Sequence, residues 1–205
     1  MDRPRAGVRG DPDRDGQASG TCGANPGICE RRLNLRLLTA ARTGPNSALS
    51  FGADDPLDQR GRADCARLRW SVSREAQVAP ERSAIETAEL TGCAGPIDSK
   101  LSSIDLGSWA GLAPEQVDPM ELGSWLMDPD FASHGGESVT AFVARLADWL
   151  KGCADSDSIA VVTSGTAQGL VAAALACDFW SVEVAPAQVV NLSRRGGRWR
   201  VRIGC

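Results

Sequence analysis

Tyrosine is absent from this chain of 205 residues, and histidine occurs once, at His134. No apolar run approaches the roughly 18 residues needed to cross a bilayer, so no membrane partner is expected. The opening stretch, MDRPRAGVRGDPDRDGQASG, lacks the apolar centre of a secretory signal. A cytoplasmic location follows by default. The seven cysteines (Cys22, Cys29, Cys65, Cys93, Cys153, Cys177 and Cys205) are odd in number and have no C-x-x-C spacing. That pattern suits a reduced compartment better than a disulfide framework or a zinc site, and no metal or cofactor is expected. Basic excess is missing too: the net charge is −4 and the pI about 5.1. A phosphate-backbone binder carries a basic stripe, so no nucleic-acid partner is expected. The most basic stretch, SRRGGRWR, alternates arginine with apolar positions around a turn and reads as the solvated edge of a hairpin.

What is present is an ordinary globular balance of 42% apolar and 23% charged residues, enough to bury a core. Residues 1–32, rich in Gly, Pro, Asp and Arg, read as a disordered extension; residues 33–205 read as one domain. LNLRLL opens that domain as a buried strand. Residues 55–70 read as a turn and an amphipathic helix, with Ala63, Ala66 and Leu68 facing inward. A short strand at 76–80 stops at Pro80, and a helix over 81–92 ends at Gly92. Residues 96–131 are irregular, with short helices at 114–117 and 119–126. Residues 135–153 form the most regular helix, its apolar stripe made by Val139, Phe142, Val143, Leu146, Trp149 and Leu150. SIAVVTSGTAQGLVAAALAC (158–177) reads as buried strand, tight turn and apolar helix, and residues 186–203 close as a hairpin. Cys65, Cys153 and Cys177 fall on apolar helix faces and are expected in the core, whereas Cys22, Cys29 and Cys205 are expected to be exposed. This alternation predicts an α/β three-layer sandwich with a mostly parallel central sheet. The carboxyl ends of its strands, at 39–42, 79–82 and 163–166, should converge on a ligand site.

Those strand ends carry six blocks in order: TAARTGPN, DDPLDQRGRADCARL, APERSAIETAELTG, LSSIDLGSWAGL, HGGESVTAFVARLADWL and IAVVTSGTAQGLVAAAL. Together they resemble the histidine phosphatase superfamily, the phosphoglycerate mutase-like proteins, over residues 33–203. The resemblance implies a site in which one histidine attacks phosphorus, two arginines and a second histidine hold phosphoryl oxygens, and a carboxylate protonates the leaving group. A neutral imidazole is nucleophilic at neutral pH, guanidinium forks match phosphate oxygens, and a carboxylic acid supplies the departing alkoxide with its proton.

This chain holds other residues at those positions. The first arginine aligns with Thr39, the nucleophilic histidine with Ala40, the second arginine with Ser83, the acid with Ser103 and the second histidine with Ser164. Thr43 and Asn46 keep the T-x-x-N spacing of the first block. In an alternative register ARTG replaces R-H-G and keeps Arg42 as a phosphate clamp, and Arg82 lies one residue before the expected arginine. Neither restores a nucleophile. A single histidine cannot supply two, so phosphohistidine chemistry is expected to be absent.

The expected cleft is therefore neutral and hydroxyl-rich, lined by Thr39, Ala40, Thr43, Asn46, Ser83, Ser103, Ser164 and Gly165. Arg42 and Arg82 are the adjacent cations, with surface salt bridges as their plain role. Helix N-termini at Gly44 and Gly165 offer a weak pull on anions. Ser164 is a possible new nucleophile, although the G-x-S-x-G elbow is missing; its base would have to be His134, Glu137 or Asp105. His134 is otherwise a solvated loop residue near the cleft mouth, and Glu137 otherwise packs at the start of its helix. Trp109 and Trp149 are scaffold, and Trp125 and Trp180 are buried by default or form a cleft wall or a partner surface. The expected partner is a small polar or neutral ligand or a protein. The competing expectations are a re-employed cleft that performs cyclisation, isomerisation or hydrolysis, and residual phosphatase activity.

Overall fold

The computed structural model describes residues 33–44, 50–68, 76–153 and 157–204. The expected N-terminal extension and the ends of the chain carrying Cys22, Cys29 and Cys205 lie outside them, as does Asn46. β1 (Leu33–Thr39) buries Leu33, Leu35 and Leu37 on one face and presents Asn34 and Arg36 on the other, before Leu38 and Thr39 close over completely. It is the centre of a five-stranded sheet of order β2-β3-β1-β4-β5, with β2 at Gln77–Val78, β3 at Asp157–Val162, β4 at Val189–Arg195 and β5 at Arg198–Gly204.

The sheet is mixed rather than mostly parallel. β3 runs parallel to both β1 and β2, but β4 is antiparallel to β1 and β5 antiparallel to β4. The closing hairpin accounts for β5: Gly196 and Gly197, at φ of 58° and 70°, reverse the chain in two residues with no crossover helix, whereas β4 enters antiparallel to β1 from the connection that follows α5.

Helices flank the sheet in the expected layers. α4 (Val139–Gly152) and α5 (Ser164–Leu175) pack on each other, and α5 lies against β1, β4 and β5. α2 (Arg82–Thr91) packs on β2 and β3, with α1 (Gln59–Arg67) outside it. The α4 stripe is buried as the periodicity requires, with only Val143 half-covered. α1 departs from expectation. It is shorter, Ala63 and Ala66 are exposed, Leu68 is half-buried, and Gly61 and Cys65 face inward instead. A methyl at Gly61 would run into the carbonyl oxygen of Arg42, so the glycine fixes which side of α1 meets the chain after β1. Cys177 is exposed, because the helix ends at left-handed Ala176 just before it. Cys153 is half-buried and its thiol is pushed up to about 11 by burial. The short α3 (Pro119–Met127) is capped by Asp118, whose carboxylate accepts from the N–H groups of Met120 and Glu121. Among the described residues no helix is long and apolar enough to cross a membrane.

Candidate functional site

The three strand ends meet. The N–H of Ala40 donates to Val162 O at 2.7 Å, that of Ala79 to Val161 O at 2.8 Å, and that of Ala41 to the Thr87 hydroxyl at 2.9 Å. The loop after the 3-10 turn Ser99–Leu101 joins them, placing Ser103 Oγ 2.9 Å from Thr163 Oγ1. This edge, beyond the carboxyl ends of the parallel strands, is where open α/β sheets hold ligands.

The residues gathered there are small and neutral. Thr163 caps α5 by accepting from the Thr166 N–H, and its hydroxyl donates to Thr166 Oγ1 at 3.1 Å. Having one proton, Thr163 must then accept from Ser103. The chain of hydroxyls thus runs Ser103 to Thr163 to Thr166, with Thr166 fully buried. Ala40 and Ser83 are buried beside it, and Ser164 and Gly165 begin α5.

A carboxylate that was not among the expected site residues also enters this edge. Glu81 occupies the N-cap position of α2; its Oε1 accepts from the Ser103 N–H at 2.5 Å, and its Oε2 is buried without a hydrogen-bond partner. It forms no ion pair among the described residues. The expected cations point elsewhere. Arg42 lies 3.7 Å from Asp64, and Arg82 is 2.9 Å from Glu86, both on the exposed surface. The plain role of each is the one it fills. Thr39 is fully buried, its hydroxyl donating to Ala185 O at 2.7 Å and accepting from the Gln188 N–H at 2.8 Å. Thr43 bridges to Leu57, which ties the turn after β1 to the segment leading into α1. Gly165 lies at the N-terminus of α5, and the residues that follow Gly44 lie outside the described ones.

His134 is not a solvated loop residue. It is 3% exposed, stacked 4.9 Å from Trp109 and 6.0 Å from Phe131. Its Nδ1 accepts from the Gly136 N–H, which fixes the proton on Nε2, and Nε2 is buried without a partner. Burial holds the imidazole below its usual value, against the pull of the Asp105 and Glu121 carboxylates. Two backbone approaches create this environment. A Cβ on Gly107 would strike His134 O, and one on Gly136 would strike Asp105 O, so glycine at both positions lets the two loops close on the ring. Trp125 is buried in the same aromatic cluster, 6.0 Å from Trp109, whereas Trp180 is partly exposed.

Glu137 does pack at the start of α4, through Arg145. The guanidinium donates to both of its oxygens at 2.8 and 2.7 Å and also to the carbonyls of Lys100, Ser102 and Ser103. This fork holds Glu137 below the usual carboxylate range and pins the loop that carries Ser103. Asp105 accepts from the Gly107 N–H. None of His134, Glu137 and Asp105 is hydrogen-bonded to Ser164, so the structure does not assemble a base–nucleophile pair there.

The sequence profile of the Histidine phosphatase superfamily (branch 1) matches residues 41–203. Among solved structures, the chain is similar to a phosphoglycerate mutase from Thermus thermophilus. That match has 27% identity over 84% of this chain and 99% of that one, with a TM-score of 0.67. It is also similar to the mycobacterial glucosyl-3-phosphoglycerate phosphatase Rv2419c, at 24% identity over 84% of this chain and 98% of that one, with a TM-score of 0.71. No curated protein sequence matches. Six motif blocks in order, the strand arrangement and a profile match over most of the chain agree: this chain belongs to the histidine phosphatase superfamily.

Proposed function

We propose that this chain uses the inherited cleft to bind a small, uncharged, hydrogen-bonding ligand and does not transfer phosphoryl groups. The observation that carries this reading is the Ser103–Thr163 hydroxyl pair at 2.9 Å, backed by the Glu81 carboxylate, at the edge where phosphoryl transfer needs cations. A phosphate beside an unneutralised carboxylate is repelled by about 4 kcal/mol per pair of unit charges at 4 Å near a protein surface. Among the described residues no guanidinium pairs with Glu81, and Arg145, which holds the Ser103 carbonyl, is paired with Glu137. Ala40 has no lone pair to attack phosphorus, and Ser164 has no base. A ligand hydroxyl or amide can instead exchange hydrogen bonds with the half-buried Ser103 hydroxyl, whose loop Glu81 holds through the Ser103 N–H. The half-buried Ser103 and Thr163 and the fully buried Thr166 suit a small molecule better than a protein surface.

A second reading is a re-employed cleft that isomerises, cyclises or hydrolyses its ligand; Glu81 would be its general base, and Oε2, which is buried, would first have to be uncovered.

The test is a phosphatase assay with p-nitrophenyl phosphate, quenched in acid to trap phosphoserine and in alkali to trap phosphohistidine, beside a thermal-shift screen of neutral polyols and amides. The expected result is no turnover above a blank and no phosphorylated side chain. Neutral compounds should raise the melting temperature, and this shift should disappear in Ser103→Ala or Glu81→Gln. Turnover that is lost on Ser164→Ala would overturn the reading.

A further inference from the structure

At the opposite end of the sheet, the face that α5 does not cover forms a second recess of about 510 Å3. We propose that it binds a phosphorylated, hydroxyl-bearing small molecule of nucleotide size, independently of the cleft.

Strand register builds the recess from two neighbouring rungs. One runs Asp157, Asn34, Ser193, Arg200 across β3, β1, β4 and β5; the next runs Ile159, Arg36, Asn191, Arg202. Side chains two apart on a strand share a face, so both rungs point to the same side. The other side of β5 sends Trp199 and Val201 into the core. Four strands at about 4.8 Å spacing make each rung about 14 Å long, and Arg200 and Arg202 stand about 7 Å apart. From Asn34 to the end of β1 is about 17 Å at 3.3 Å per residue, which separates the recess from the cleft.

The first rung is polar in a directional sense. Its β5 end carries Arg200 beside Arg202, and neither arginine forms an ion pair among the described residues. Its β3 end carries Asp157, whose carboxylate accepts from Asn34 Nδ2 at 2.8 Å. Paired guanidinium forks match phosphate oxygens. The amides of Asn34 and Asn191 match ligand hydroxyls. The chain as a whole carries a net charge of −4, so a recess of this sign is a local feature and not the background. The volume falls within the ~300–1,000 Å3 of small-molecule sites. The bland role for these arginines is to guard the edge strand β5 against pairing with other chains.

The deciding experiment is calorimetric titration of the full chain with AMP, with adenosine and inorganic phosphate as separate arms at one ionic strength. Amide chemical shifts locate the binding. AMP is expected to bind at least about tenfold more tightly than either fragment and to shift the amides of Asn34, Asn191 and Arg202, not those of Ser103 and Ser164. Arg200→Gln with Arg202→Gln is expected to lower the AMP affinity at least about tenfold. Both residues are exposed, and the unfolding midpoint checks that the variant folds. If it does not fold, the wild-type shift map alone decides. AMP binding no tighter than phosphate, binding retained in the folded double variant, or shifts confined to the cleft would each overturn the proposal and leave edge protection as the arginines' role.

Discussion

The backbone N–H of Gln188 donates to Thr39 Oγ1 at 2.8 Å, and the same hydroxyl donates to Ala185 O at 2.7 Å. A residue aligned with a phosphate-binding arginine thus fastens the end of β1 to the loop before β4. Thr39→Val keeps the shape and removes the hydroxyl, leaving a buried N–H without its side-chain acceptor. The expected cost is about 1–3 kcal/mol of unfolding free energy, read from the urea midpoint. Thr39→Arg should cost more than Thr39→Val, since a guanidinium would be placed at a fully buried position. Restoring the family's arginine there therefore breaks the scaffold before it rebuilds a clamp. A Thr39→Arg variant as stable as the parent would refute this account.

Gly61 sits inside α1, where helix propensity alone favours alanine by about 1 kcal/mol. The sign should reverse here. The added methyl would meet the backbone carbonyl of Arg42, which cannot rotate away as a side chain can. Overpacking of this kind costs about 1–3 kcal/mol or more. Gly61→Ala is expected to lower the melting temperature, whereas Gly152→Ala, at the end of α4 with open space around it, should not. Equal effects at the two glycines would mean that α1 shifts freely.

The sequence made the ladder of elements legible because hydrophobic periodicity and end signals agree along it, as at α2, where the helix stops at left-handed Gly92. The convergence of strand ends was legible for the same reason. Three features were not. Glu81 carries no local signal of a site role, and only the fold shows that its carboxylate reaches the Ser103 backbone. Arg145 lies on the polar side of a helix read for its apolar stripe, so its grip on Glu137 and the 100–103 carbonyls had no local signal. By sequence His134 is a lone loop histidine, a type that is usually solvated. In fact the glycines bury it, since Gly136 together with Gly107 permits backbone contact from which any side chain would be excluded. In each case the deciding partner lies far away in sequence or is a backbone atom, and residue type carries no information about it.

Arg145 should be the most sensitive polar residue of the scaffold. Arg145→Ala strips the partner from a carboxylate one-quarter exposed and from the carbonyls of Lys100, Ser102 and Ser103. A loss of about 2–4 kcal/mol is expected, at the lower side of the range for breaking buried pairs because water reaches this one. Arg145→Lys should recover less than half of it, since an ammonium cannot fork onto Glu137 while holding three carbonyls. The pair also sets an acid limit. Glu137 titrates below its ordinary value of 4.5 in the folded state, so its stabilisation is complete above that pH and is lost as pH falls through the lowered folded value. The parent's unfolding free energy should drop in that acid window, and that of Arg145→Ala should drop less.

The buried imidazole has its own window at higher pH. In the unfolded chain His134 protonates near 6.5; in the folded chain, burial between Trp109 and Phe131 holds its value lower, overriding the carboxylates of Asp105 and Glu121. Between the two values the unfolded state binds a proton that the folded state refuses, so stability is full above pH 6.5 and falls as pH drops through that value towards the folded one. His134→Asn separates titration from packing. Its Oδ1 can accept from the Gly136 N–H as Nδ1 does, but it does not titrate and it loses the ring contact. The variant should be less stable than the parent at about pH 8, yet show a flatter decline between about pH 6.5 and pH 5 in urea unfolding. His134 is the only histidine, so no other imidazole can produce the parent's slope. An identical slope in the variant would show that the folded ring protonates as freely as the unfolded one, and that the aromatic cluster does not enclose it.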